Sequence, residues 1–374
     1  MTNKQFRMRH ILFGLVTLLI FASCSEDESV GTIVDLPTNL VTSVSVNEKT
    51  VTVTATASGA ENFSFLFIQG GEETFVVSED GTATHTFVFT GTHQIRTRAY
   101  ASKSSFFDFT EKYDSVIIEG DDPIGTPTEG YSTPMEYPGY ELVWNDEFEG
   151  NSLSSDWVHE IGNGTWGWGN NELEYYRSQN TSVADGLLTI TARQQFYENY
   201  NYTSSRIKTQ GKQAFKYGRV DIRAALPYGK GIWPALWMLG ENFSTVGWPS
   251  CGEIDIMELI GGEGLNDRTV HGTLHWDHNN SHASYGGSNS LPSGEIFAEE
   301  FHVFSIIWNE SQIRFYRDDI QYHVMNIAGI PEFHEEFFFI FNVAVGGNWP
   351  GAPNASTIFP QKMMVDYVRV FQEE

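Results

Sequence analysis

Residues 252–259, Gly-Glu-Ile-Asp-Ile-Met-Glu-Leu, alternate acidic and apolar side chains with the period of two that marks a strand buried on one face. Glu253 and Asp255 share one face, and Ile254 and Ile256 turn to the other. Glu258 breaks this parity. Five residues beyond Glu253, it points into the core unless a β-bulge at Met257 returns it to the acidic face. A buried, unpaired glutamate is costly, so the bulge is the expected solution. A solvated edge strand is the bland alternative, but three carboxylates gathered on one face of an apolar strand repel one another and make poor structural sense without a task.

Outward from this stretch, short runs rich in β-formers recur: LLTITARQ (187–194), YGRVDIRAAL (217–226), HVFSIIWN (302–309), QIRFYRDD (312–319), FFFIFNVAV (337–345) and MMVDYVRVF (363–371). No long window carries a period of 3.6. The expectation is all-β, with a two-sheet jelly-roll sandwich over residues 137–374 and a closed barrel as the lesser alternative. Residues 36–119 form a second, smaller pattern of alternating runs every 8 to 12 residues, as in an immunoglobulin- or PKD-like β-sandwich. It has no tryptophan, since all ten lie after residue 143. It is expected as a spacer rather than a glycan-binding module. Between the two, residues 120–136 gather Gly, Pro, Thr and acids without periodicity and read as a linker.

The composition sets 48 Asp and Glu against 22 Lys and Arg, a formal charge of −26. Such a balance leaves no basic stripe for phosphates, which excludes nucleic acid and disfavours anionic membrane surfaces. Only two cysteines occur, Cys24 and Cys251, so neither a disulfide framework nor a cysteine metal site is expected. Lys4, Arg7 and Arg9 precede an apolar run at 11–22 that is too short to span a bilayer, the pattern of a signal peptide over residues 1–23. Ala22-Ser23-Cys24 resembles a bacterial lipobox, with Phe21 where leucine is usual, and implies lipidation of Cys24. Ordinary cleavage beside an incidental cysteine is the alternative. The acidic tether 24–35 begins Cys-Ser-Glu-Asp-Glu-Ser, similar to the signal that sends Bacteroidetes lipoproteins to the outer face of the outer membrane. The expectation is an exported, surface-exposed monomer that meets the membrane only through its lipid.

Two carboxyls about 5 to 5.5 Å apart, one a nucleophile and one an acid that later activates water, are what a retaining glycosidase requires. Glu253 and Glu258 on one strand face suit that spacing, with Asp255 between them to orient Glu253. Tryptophans in GIWPALWML (231–239) offer ring faces on which sugars stack. Trp233 and Trp237, four residues apart, fall on one strand face, which is either cleft or core.

Glu-Ile-Asp-Ile-Met-Glu, preceded by GIWPALWML and followed by HGTLHW (271–276) and NVAVGGNWPG (342–351), resembles glycoside hydrolase family 16, and within it the laminarinase-like β-1,3-glucanases. The resemblance covers about residues 137–374. It implies endo-acting, retaining hydrolysis of β-1,3-glucan without a catalytic cofactor, with Glu253 as nucleophile, Asp255 as its assistant and Glu258 as acid/base. Mixed-linkage glucan, an algal galactan, or glycan binding without catalysis are the rival functions. The inserted Met257 matches the family's bulged branch. The resemblance further implies substrate contacts at Asn171, Glu174, Arg206, Trp233, Trp237, His275, Asn342 and Trp349, and a structural calcium held by Glu147, Gly186 and Asp366. Trp166, Trp168 and Trp248 flank the motifs as subsite walls or loop anchors, and His278 and His282 read as solvated loop histidines.

Overall fold

The computed structural model describes residues 34–374, apart from 48, 70–71, 88–90, 105, 119–123 and 265. The expected signal peptide at residues 1–23 and the expected lipidation site Cys24 lie outside the described residues. Residues 38–118 form a three-stranded sheet (Thr38–Asn47, Thr50–Ser58, Thr82–Thr86) and a four-stranded one (Glu72–Ser78, Asn62–Gln69, Gly91–Tyr100, Phe109–Ile118). Period-two alternation turns Val51 and Val53 of the first and Phe63, Phe65, Phe67 and Ile95 of the second into one shared core.

The larger sandwich pairs an eight-stranded outer sheet with a seven-stranded inner one. Strand order in the inner sheet is His282–Ser290, Thr269–Asp277, Glu253–Leu259, Ile232–Gly240, Phe337–Val345, Arg206–Lys208 and Val158–Glu160. Its neighbours along this path run antiparallel. The all-β, two-sheet expectation is met. The core between the sheets collects Ile222, Phe304, Ile306, Val365 and Val368 from outside, and Leu236, Met238, Ile254 and Phe341 from inside.

Phe337–Val345 is buried along its whole length. Its odd positions, Phe337 to Val345, enter the inter-sheet core, while Phe338, Ile340, Asn342 and Ala344 face the opposite side. Each fully buried phenylalanine or valine contributes about 1.5–3 kcal/mol, so this one strand anchors the inner sheet.

Part of the expected linker is held against the sandwich. From Glu129 onward it is laid on the outer sheet: Phe301 N donates to Glu129 O at 3.0 Å, and Tyr131 N donates to Phe301 O at 2.9 Å. Thr133 N donates to the Tyr367 hydroxyl, and Tyr137 donates to Asp221, both at 2.8 Å. Gly130 makes this approach possible. Its φ is +132°, and a Cβ there would meet Phe301 O at 2.0 Å. Composition announced the prolines and glycines, but the pinning comes from tyrosine and backbone partners distant in sequence.

The bulge lies where the parity of Glu258 required it. Leu236 pairs with Met257 and Trp237 with Asp255, leaving Ile256 as the extra residue, and on the other edge the register jumps between Asp255 and Glu258. Ile254, Ile256 and Met257 all enter the core, fully buried. Met257→Ala is therefore expected to cost about 2–5 kcal/mol in urea unfolding. A loss within about 0.5 kcal/mol, the range of an exposed position, would contradict the bulged arrangement.

Candidate active site

The outward face of the inner sheet is the floor of a cleft of about 640 Å³. Trp233, Ala235, Trp237 and Leu239 line it from one strand, Glu253, Asp255 and Glu258 from the next, and Thr273 and His275 from a third. Alternation places both tryptophans in the cleft, which resolves the choice between cleft and core.

Each glutamate is held by an indole. Trp248 Nε1 donates to Glu253 Oε2 and Trp233 Nε1 to Glu258 Oε1, both at 3.0 Å. His275 Nε2 stands 3.0 Å from Asp255 Oδ2 and 3.7 Å from Glu253 Oε1. The Asp255 oxygen accepts no well-aligned hydrogen bond and is almost wholly buried. Burial pushes all three carboxyls up to about 8. Asp255 adds like-charge repulsion to the rise of both glutamates, against which the indole donors and His275 pull each back. Donor atoms of Glu253, Asp255 and His275 fall within 4.8 Å of one another, the one such grouping among the described residues.

Arg206 lies with its guanidinium 4.4 Å from the Trp168 ring centre and 4.9 Å from that of Trp237. Its Nε donates to Glu160 at 2.5 Å, and Lys208 holds the other Glu160 oxygen at 2.6 Å. Asn342 accepts from Trp237 Nε1 at 2.8 Å and donates to the Tyr176 hydroxyl at 3.1 Å, so it positions an aromatic wall. Trp349 meets Trp233 edge-on at 5.7 Å.

Two expected contacts fall elsewhere. Glu174 is fully buried beneath the cleft, where its Oε2 accepts from Val345 N at 2.6 Å and burial holds its carboxyl well above the usual range. It braces a loop and is absent from the cleft lining. Asn171 sits at a positive φ of 57° on the exterior and donates to Asn348, while its neighbours Asn170 and Glu172 line the cleft. A left-handed turn rotates the Asn-Asn pair, which spacing alone does not disclose. Trp168 and Trp248 line the cleft, whereas Trp166 is 82% exposed outside it. His282 joins the lining too. It begins a strand, and in register the hairpin sets it diagonal to His275.

Glu147 and Asp366, expected at a calcium site with Gly186, occupy the outer side of the sandwich. Arg369 grips both Glu147 oxygens at 2.8 Å, and Arg223 holds Asp366 at 2.7 Å. These guanidinium groups compete with a cation for the same carboxylates.

Residues 168–369 match the model for Glycosyl hydrolases family 16. The chain belongs to this family. A second model, for Beta-glucan synthesis-associated protein SKN1/KRE6/Sbg1, matches residues 43–253 and ends before Asp255 and Glu258. The catalytic domain of an endo-1,3-beta-glucanase (laminarinase) from Thermotoga petrophila is 47% identical, with a TM-score of 0.58 over 63% of this chain and 98% of that one. A Beta-glucanase of Rhodothermus marinus is 40% identical over 67% of this chain and 91% of its own length. The Clotting factor G alpha subunit of Tachypleus tridentatus is 42% identical over 63% of this chain, which spans only 34% of that relative.

The raised carboxyls of this family 16 site carry a sign. Each binds its proton more tightly folded than unfolded, so the stability this supplies is complete below about pH 4 and drains away as pH rises through about 8. Between pH 5 and 9 the wild type should lose at least about 5 °C more in Tm than Asp255→Asn. Parallel slopes by calorimetry would contradict the burial assigned to Asp255.

Proposed function

We propose that this protein is an endo-acting β-1,3-glucanase that hydrolyses laminarin-type glucans with retention of anomeric configuration. The observation that carries the proposal is the grouping of Glu253, Asp255 and Glu258 on the floor of an aromatic-walled cleft. Glu253 attacks the anomeric carbon while Glu258 gives its proton to the leaving oxygen. Glu258 then takes a proton from the water that releases the glycosyl-enzyme. The split follows the donors: Glu253 has Trp248 at 3.0 Å and His275 at 3.7 Å to favour its ionised form, and Glu258 has Trp233 alone at hydrogen-bond range. Asp255, between them and buried, discourages both from ionising together.

A neutral polymer suits the wall chemistry. Both fixed cations lining the cleft, Arg206 and Lys208, are already paired with Glu160, so neither is free to meet a sulfate ester. Trp233, Trp237, Trp248 and Trp349 offer ring faces for successive sugars. The name of the Thermotoga relative points to the same linkage.

Residues 25–374 should release products from laminarin ahead of barley mixed-linkage glucan and agarose, with the β-anomer first by NMR. Glu253→Gln should cut kcat at least about 1,000-fold. An α-anomer first product overturns retention, and preference for mixed-linkage glucan overturns the linkage.

For placement in the cell, the proposal is a lipid anchor at Cys24, supported by Ala22-Ser23-Cys24 behind the apolar run, with residues 36–119 spacing the enzyme from the membrane. Cys24→Ser should move activity from the membrane fraction to the soluble exported fraction, and unchanged fractionation would refute the anchor.

A further inference from the structure

The mechanism leaves unexplained a second histidine beside the first. His282 Nε2 lies 2.8 Å from His275 Nδ1, with the two rings stacked at 5.1 Å and 20°. His282 also packs against Trp248, ring centres 4.6 Å apart. It therefore touches both groups that hold Glu253: the indole that donates to Oε2, and the imidazole 3.7 Å from Oε1.

We propose that His282 is a positioning residue that fixes the orientation and protonation of His275, and through it the ionisation of Glu253. This rests on Glu253 as the nucleophile. His275 turns Nε2 toward both acids. Its other nitrogen then has one nearby side-chain partner, His282. When His275 is an imidazolium, Nδ1–H donates to a neutral His282; when His275 is neutral, the same contact runs in reverse. Burial, and secondarily the charge of His275, press the His282 imidazole below its ordinary value, which suits it to the acceptor role.

The charged groups around the pair are few. Glu253 and Asp255 face His275 from the adjacent strand and Glu258 of the same strand feels its charge, Asp277 is paired with His282 across the hairpin, and Glu332 reaches the Asp277 backbone. Trp237, Leu239 and Trp248 supply the remaining neighbouring cleft wall without charge. A positive His275 favours ionised Glu253. Without the His282 partner the imidazole is no longer fixed beside the carboxyl, so Glu253 ionises at higher pH.

The test uses His282→Phe, which keeps a stacking ring and loses the hydrogen bond, and His282→Gln, which can still donate or accept. On laminarin, the acid limb of kcat/KM should move up by about half a pH unit in the Phe variant and return toward wild type in the Gln variant. In 15N spectra, the His275 Nδ1 shift should change with Phe and recover with Gln. Limbs that coincide for all three proteins, whatever happens to kcat, overturn the proposal, as does an unchanged His275 spectrum. The spectrum is read without substrate, so it stands even if the polymer proves to be another glycan. Should the Phe variant not fold, His282→Ala is read in its place.

Discussion

A strand can show one face to a core and the other to solvent only while its residues alternate, and Glu253–Leu259 must do more than alternation permits. It has to bury Ile254, Ile256, Met257 and Leu259 while keeping three carboxylates, the last five residues from the first, on the other side. The single extra residue of the bulge reconciles these demands. The same step lets the strand keep Ile232–Gly240 on one edge and Thr269–Asp277 on the other. The indole of Trp233 on one neighbour and the imidazole of His275 on the other therefore both reach the acids.

Placement of the acids is also a matter of what lies beneath them. Phe337–Val345 fills the core with its odd positions and paves the cleft with its even ones, so core packing fixes the height of the catalytic floor. Asn342, within that strand, ties Trp237 to Tyr176, and Glu174 ties the strand's end to the loop carrying Asn170 and Glu172. Buried polar groups so linked cost little while satisfied and much when one partner goes. Residues that never meet substrate can therefore matter to the walls that do.

Much of this was legible in the chain. Period-two runs announce a β-sandwich, and the parity of Glu258 by itself demands a bulge. Trp233, Trp237, Arg206, His275, Asn342 and Trp349 all reach the cleft lining. What spacing conceals is the behaviour of loops and hairpins. Asn171 and Asn170 exchange places through a positive φ, and Glu174 is turned inward beside them. His282 looks like a loop residue until strand register sets it beside His275, seven positions back in the chain. Residues 129–137 carry a linker's composition yet bond to Phe301, Tyr367 and Asp221, partners that no local pattern can nominate.

In the proposed mechanism the bulge delivers Glu253 and Glu258 to the two sides of one glycosidic bond, with Glu253 forming the covalent bond to sugar. The most direct measurement is to react the protein with a fluorinated laminaribioside carrying an activated leaving group, then locate the trapped sugar by peptide mass spectrometry. One added glycosyl unit, on Glu253, is the expected product. A label on Glu258, or none on a protein that turns over the same reagent, would contradict it.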